Sequence, residues 1–237
     1  MVQRRSVLVF LLGLAATAYA KATIIFGGKP FTREVTPPPT PVDPSAPWTF
    51  FNADEAATIE AIVDRLIPAD ELSMGGKEAG CAVFLDRQLA GDYGKSVVQY
   101  LSGPAAKGTP QQGPQFTNTI AQRYRINLAA LENYCRGQYA GKGFSALDAD
   151  AQDKLLGDLE AGHVTLKNVD GISFFNQLLQ NTREGYFADP IYGGNKDMVG
   201  WKLVGFPGAR YDYRDYIGRR GEDLKLIPVS LIDRVGT

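Results

Sequence analysis

The sequence predicts a mainly α-helical fold, an irregular helical bundle with a long ordered C-terminal loop rich in Gly and aromatic residues. Apolar residues recur at helical spacing in several runs, and segments rich in Gly and Pro separate these runs. No run shows the sustained alternation of apolar and polar residues that is typical of strands. The length of 237 residues suits one domain with appendages.

Residues 1–20 have the pattern of an export signal. Arg4 and Arg5 form a charged start, residues 7–16 are an apolar run too short to span a bilayer comfortably, and Ala18 and Ala20 flank Tyr19 in a cleavage-site pattern. Adjacent arginines before such a run predict a twin-arginine signal, which exports folded proteins. An ordinary secretory signal and a retained anchor are the alternatives.

A proline-rich linker is predicted at residues 21–47, which contain Pro37, Pro38, Pro39, Pro41, Pro44 and Pro47. Such a segment favours an extended tether and contributes no core residues. The helical domain is predicted to span residues 48–217, and a C-terminal tail follows at residues 218–237.

Five helical runs are predicted within the domain. Asn52 caps the first, with Glu55 completing a capping box, and Pro68 ends it. The second and third cover residues 78–89 and 116–139, with a loop at residues 103–114 between them.

The fourth and fifth predicted helices begin at serines. Ser145 caps the fourth, with Asp148 at its third helical position, and Ser173 opens the fifth. The fifth fades into residues 184–213, where Gly and Pro are too frequent for a regular helix and the rings carry too much apolar area for a disordered tail. These residues are therefore predicted to form an ordered loop that is either functional or a cover for the core.

Few classes of chemistry are compatible with this composition. The net charge of −1 and the lack of a basic block argue against nucleic acid as a partner. One histidine, His163, excludes His-rich metal motifs, and no dinucleotide or phosphate-binding loop occurs. We therefore predict no catalytic, cofactor-binding or metal-binding residue in this chain. A self-sufficient enzyme would have to use His163 and Glu184, each of which is better explained by a structural role.

Two cysteines, Cys81 and Cys135, lie far apart in the sequence and form no CxxC motif. After export the compartment is oxidising, so an intramolecular disulfide between them is one prediction. A free thiol, or a bond to a partner subunit, is the other.

A helical domain without catalytic motifs but with an ordered aromatic segment suggests a binding surface, because rings and arginines are frequent anchors of protein interfaces. The predicted partner-interface residues are Glu184, Tyr186, Tyr192, Asn195, Trp201, Phe206, Arg210 and Tyr211.

Two long blocks carry a family resemblance. Residues 173–217 read SFFNQLLQNTREGYFADPIYGGNKDMVGWKLVGFPGARYDYRDYI, and residues 66–89 read LIPADELSMGGKEAGCAVFLDRQL. Both resemble the gluconate 2-dehydrogenase subunit 3 family. With the Arg4-Arg5 signal, the resemblance spans nearly the whole chain.

The resemblance implies a small subunit of a periplasmic flavin dehydrogenase on the outer face of the inner membrane. Its implied partners are an FAD-containing large subunit, a multihaem cytochrome c subunit and the twin-arginine translocase. FAD and haem c would lie in those other subunits, and this chain would reach the membrane only through the complex or an uncleaved signal.

The substrate implied is gluconate, since residues 210–216 look closest to members that work with it. Relatives that serve glucose, fructose, sorbitol or glycoside dehydrogenases are an alternative, as is a stand-alone periplasmic sugar-binding protein.

Overall fold

The computed structural model describes residues 40–97, 99, 108–112 and 116–232. Within these ranges the chain forms six α-helices and no β-strand, with only two isolated β-bridges. The predicted mainly helical class is confirmed. The helices are α1 (Ala53–Leu66), α2 (Cys81–Ala90), α3 (Ile120–Gln138), α4 (Ala149–Glu160), α5 (Gly171–Phe187) and α6 (Val199–Val204).

The start of α1 is the capping box that the sequence predicts. The Asn52 side chain accepts a hydrogen bond from Glu55 N at 2.9 Å, and Glu55 Oε2 accepts one from Asn52 N at 3.0 Å. Both contacts satisfy amide groups that a helix start otherwise leaves without partners. The predicted cap of α1 is thus confirmed.

Two predicted helix starts are wrong by three residues. Ser145 lies in a 3₁₀ turn (Phe144–Ala146), and Asp148 caps α4 by accepting from Ala151 N at 2.9 Å. Asp170, not Ser173, caps α5, since its Oδ1 accepts from Ser173 N at 3.0 Å. In both cases an Asp three residues away from the chosen serine takes the cap, because a carboxylate is at least as good an acceptor at that position.

The core lies where α2 and α4 pack on α5, with α1 against all three. Its fully buried side chains come from every one of these helices and from α3, and they include Ile59, Ile62, Leu85, Leu128, Leu155 and Leu178. Burying residues of this size contributes roughly 1.5–3 kcal/mol each, before the entropy of folding is subtracted.

The segment before α1 is held on the domain by one buried carboxylate. Asp86 on α2 accepts hydrogen bonds from the backbone amides of Thr49, Phe50 and Phe51 at 2.8–2.9 Å. The neighbouring Arg87 pairs with Asp86 and donates to Ala46 O at 3.2 Å. Residues 46–51 are therefore fixed on the outside of α2.

Further contacts hold residues on either side of the predicted domain boundaries. Val42 N donates to Ile191 O at 3.0 Å, although Val42 falls in the predicted linker. In the predicted tail, Val229 forms a parallel bridge with Gly208, and Ser230 donates to Asp189 Oδ1 at 2.8 Å. The boundaries at residues 47 and 217 remain predictions.

The predicted signal, most of the predicted linker, and residues 103–107 and 113–114 of the predicted loop lie outside the described residues. Within the described ranges, no helix has both the length and the apolar character needed to cross a membrane.

Candidate interaction surface

The segment 184–213 is ordered but more helical than the sequence predicts. Its first four residues are the last turn of α5, and two 3₁₀ turns (Pro190–Tyr192 and Lys196–Met198) lead into the short helix α6. Gly and Pro prevent one long helix, but they do not prevent a series of short ones. The predicted ordered loop is therefore a series of short helical turns in its local structure.

Two glycines allow this segment to lie directly on the α5 backbone. A Cβ on Gly194 would be 2.2 Å from the carbonyl oxygen of Gly185, and a Cβ on Gly200 would be 2.2 Å from that of Tyr186. Neither contact leaves room for a side chain, and the obstacle is backbone that cannot move aside. These glycines therefore set the distance between the segment and α5.

Asn195 fastens the segment from inside. It is fully buried and has a positive φ of 48°. Its Nδ2 donates to Ala188 O at 2.7 Å, and its Oδ1 accepts from Gly200 N at 2.8 Å. Asn is one of the few non-glycine residues that adopt this backbone conformation readily. One side chain thus links the end of α5 to the start of α6.

Three predicted interface residues, Tyr186, Asn195 and Trp201, are buried within the domain. The Tyr186 hydroxyl donates to Met74 O at 2.8 Å, and Trp201 Nε1 donates to Phe187 O at 2.7 Å. These hydrogen bonds hold the segment 184–213 on the rest of the domain. A direct role for the three in partner binding stays a prediction.

The other predicted interface residues reach solvent to different extents. Tyr211 is 84% exposed, and Glu184, Tyr192 and Phe206 are also exposed. Arg210 is half-buried and donates from Nη2 to Ile227 O at 2.8 Å. Phe206 contacts Trp201 edge to face, with ring centroids 5.2 Å apart.

Exposed apolar side chains are concentrated in the same part of the chain. Of the fifteen large apolar residues that are exposed in the described ranges, ten fall between residues 187 and 232. We call these ten the C-terminal apolar surface, and they are Phe187, Tyr192, Leu203, Val204, Phe206, Tyr211, Tyr213, Ile217, Ile227 and Ile232. Seven of them are absent from the predicted set, since residue type alone does not separate exposed from buried apolar residues.

A polar network lies beside this surface, between α2, α3 and α5. Asn181 Nδ2 donates to Glu184 Oε2 and to the Tyr93 hydroxyl, each at 2.8 Å, and the Tyr124 hydroxyl donates to Asn181 Oδ1 at 2.7 Å. Burial raises the pKa of Tyr124 well above its ordinary value, so that its hydroxyl remains protonated and available to donate. Gln180 Nε2 donates to Glu184 Oε1 at 2.8 Å. The Glu184 carboxylate is therefore held at a fixed place at the protein surface.

The residues considered for catalysis have structural contacts. His163 follows α4, has a largely exposed side chain and lies 3.7 Å from Asp158, whereas Glu184 contacts Gln180 and Asn181. In the described part of the chain, no group of three or more His, Cys, Asp or Glu side chains is arranged to hold a metal ion. Cys81 and Cys135 are both buried free thiols in the structure, which is the second of the two states that the sequence allows.

One comparison with known proteins identifies a family. A family model described as gluconate 2-dehydrogenase subunit 3 matches residues 53–208, which is more than half of the chain. Neither the comparison with curated proteins nor that with solved structures found a match.

Proposed function

The chain belongs to the gluconate 2-dehydrogenase subunit 3 family, and from this we propose that it is the non-catalytic small subunit of a flavin-dependent gluconate 2-dehydrogenase complex. In this proposal it binds a large subunit that carries FAD, and a multihaem cytochrome c subunit completes the complex. Its N-terminal signal takes the folded large subunit through the twin-arginine translocase to the periplasmic face of the inner membrane.

The C-terminal apolar surface is the observation that supports a role as a subunit. Leu203, Val204, Ile217 and Ile227 are between 47% and 78% exposed, and Tyr211 more so. Exposed apolar side chains are unfavourable in water, and where they cluster they often mark a site at which another protein binds. Gly194, Gly200 and Asn195 hold residues 188–200 on α5 beforehand, so the part of this surface near Tyr192 has a fixed shape, which reduces the entropy lost on assembly.

The choice of substrate belongs to the large subunit in this proposal. Gluconate follows from the family description, and glucose, fructose, sorbitol or glycosides are the alternatives among related complexes. Exchange of the large subunit, rather than a change in this chain, should therefore alter the substrate.

The escort role is tested by replacing both signal arginines, Arg4→Lys with Arg5→Lys, and fractionating cells. Twin-arginine transport depends on this pair, so we expect the flavin subunit to accumulate in the cytoplasm, still bound to the small subunit. Arg33→Lys, in the predicted linker, is the matched control and should leave the flavin subunit periplasmic. A full complement of periplasmic flavin subunit in the double variant would refute the escort role.

A further inference from the structure

The groove between α2 and the C-terminal end of α5 is, we infer, a docking site for an arginine side chain of the partner subunit. This inference rests on the proposed function for the identity of the partner, and on the groove itself for the chemistry. The groove has a volume of about 560 Å³ and is lined by Phe84, Gln88, Glu184, Phe187, Asp189 and Tyr192.

The lining follows from helical spacing. Phe84 and Gln88 lie four residues apart on α2, and Glu184 and Phe187 lie three apart on α5, so each pair shares one face of its helix. The helices come close here because Gly185 faces Phe84, where a Cβ would be 2.9 Å from the ring. A smaller cavity of about 30 Å³ beside Tyr93 adjoins the groove, and Phe84, Gln88 and Glu184 line both.

The groove is negatively charged, and the described residues supply no counter-ion to it. Glu184 forms no ion pair with any Lys or Arg among the described residues, and Asp189 forms none either. In the described ranges no basic side chain lines the groove. The Glu184 carboxylate accepts from Gln180 and Asn181 and keeps lone pairs for a further donor. A fixed carboxylate without a cation is electrostatically complementary to a positively charged partner group.

The aromatic rings of the groove favour the guanidinium group of arginine over the ammonium group of lysine. Phe84, Phe187 and Tyr192 offer aromatic surface on which a planar cation stacks and its aliphatic stem packs. The side chain of Gln88 has no hydrogen-bond partner among the described residues, and its oxygen is available to a second N–H of the same group. Arginine combines a planar face with several donors in a fork, whereas an ammonium group is a compact, strongly hydrated charge.

Glu184→Gln in the full chain tests the groove within the complex. The variant keeps the shape of the side chain and an oxygen that accepts from Asn181 Nδ2, but it removes the charge. Its new NH₂ group cannot accept from Gln180 Nε2, so the Gln180 amide has to turn over and accept instead. We expect the affinity for the purified large subunit to fall at least tenfold at low salt, and the dependence of that affinity on NaCl to become weaker. Glu160→Gln, which removes the same charge from the exposed end of α4, is the matched control and should bind as the wild type does.

A probe of the isolated full chain separates the groove from the proposed function. Agmatine carries a guanidinium group, and we expect it to shift the side-chain amide NMR signals of Gln88 and Asn181 in the wild type but not in Glu184→Gln. Butylamine should shift them less. No shift with agmatine, or an equal shift with butylamine, overturns the arginine site.

A failure of the proposed function and a failure of the arginine site would give different results. If the wild-type chain binds no flavin subunit, the proposed function fails while agmatine still decides the chemistry of the groove. If the complex forms and Glu184→Gln binds as tightly as Glu160→Gln, the arginine site fails and the proposed function stands.

Discussion

Cys81 and Cys135 are buried in the helical core, and this determines how they react. Burial raises the pKa of each thiol to about 12, with the Glu132 carboxylate adding to the effect at Cys135. At about pH 8 both groups are therefore protonated, and the thiolate is the reactive species. We expect essentially no reaction of the native chain with an aromatic disulfide reagent, and reaction of both thiols after unfolding in guanidinium chloride.

The same measurement decides between the two cysteine states that the sequence allows. Unfolding without a reductant leaves two titratable thiols if the native protein has the free pair. Absence of thiols under those conditions, with recovery after reduction, would show that the cysteines of the exported protein are oxidised. The alternative Cys81–Cys135 bridge leaves the unreduced chain monomeric, whereas a bond to a partner subunit does not. The sequence does not distinguish the two, because pairing depends on the relative placement of α2 and α3.

At the scale of the elements, one side chain holds the short helices of residues 190–204 against α5. Asn195→Ala removes a donor to Ala188 O and an acceptor for Gly200 N, and it places alanine at a positive φ. Leaving buried backbone groups without partners costs about 1–3 kcal/mol. Adding the strain at this φ, we expect the free energy of unfolding in urea to fall by about 2–4 kcal/mol.

Lys196→Ala is the matched control for Asn195→Ala. Lys196 is the exposed neighbour, and its contact with Ala79 O uses the backbone amide, which the substitution keeps. Its stability should change by less than about 0.5 kcal/mol. An equal loss in both variants would mean that residues 195–198 tolerate no substitution, and that the Asn195 side chain has no special role.

The elements differ in how well the sequence predicts them, and the reason is the range of the contacts involved. The capping box of α1 depends on residues three apart, so Asn52 and Glu55 predict it correctly. The starts of α4 and α5 are missed because Asp148 and Asp170 compete with nearby serines for the cap. Helix α6 is missed because its place is set by the contact of Gly200 with the Tyr186 carbonyl of α5. That contact joins residues fourteen positions apart, and no local sequence pattern records it.

The predicted interface residues lie in the part of the chain where exposed apolar side chains are concentrated, but three of them are buried. Aromatic content marks residues 184–213 as ordered, yet Trp201 is 5% exposed and Tyr211 is 84% exposed. Apolar residues at a helical period separate inward from outward positions in long helices, but single 3₁₀ turns and the six-residue helix α6 are too short to show such a period. No sequence pattern predicts that the aliphatic residues Leu203, Val204 and Ile217 are exposed.

At the scale of the whole molecule, we expect buried rings to stabilise the fold and exposed rings to bind the partner, and substitutions can measure the two effects separately. Trp201→Ala removes a buried ring and its hydrogen bond to Phe187 O, so the free energy of unfolding should fall by about 3–5 kcal/mol. Tyr211→Ala removes a mostly exposed ring and should change that free energy by less than about 1 kcal/mol. Urea unfolding of the isolated chain measures both.

Among folded proteins, we expect Tyr211→Ala to lose more affinity for the large subunit than Trp201→Ala, which is the reverse of their order in stability loss. If Tyr211 is an anchor, Tyr211→Ala weakens assembly by about 2 kcal/mol, because a ring that is exposed to solvent in the free chain becomes buried in the complex. Trp201→Ala, measured at a temperature where it remains folded, should bind more tightly than Tyr211→Ala, since its ring faces the core. Wild-type affinity for Tyr211→Ala would place the contact elsewhere on the C-terminal apolar surface. A larger loss of affinity for folded Trp201→Ala would show that the shape of this surface matters more to assembly than its exposed rings.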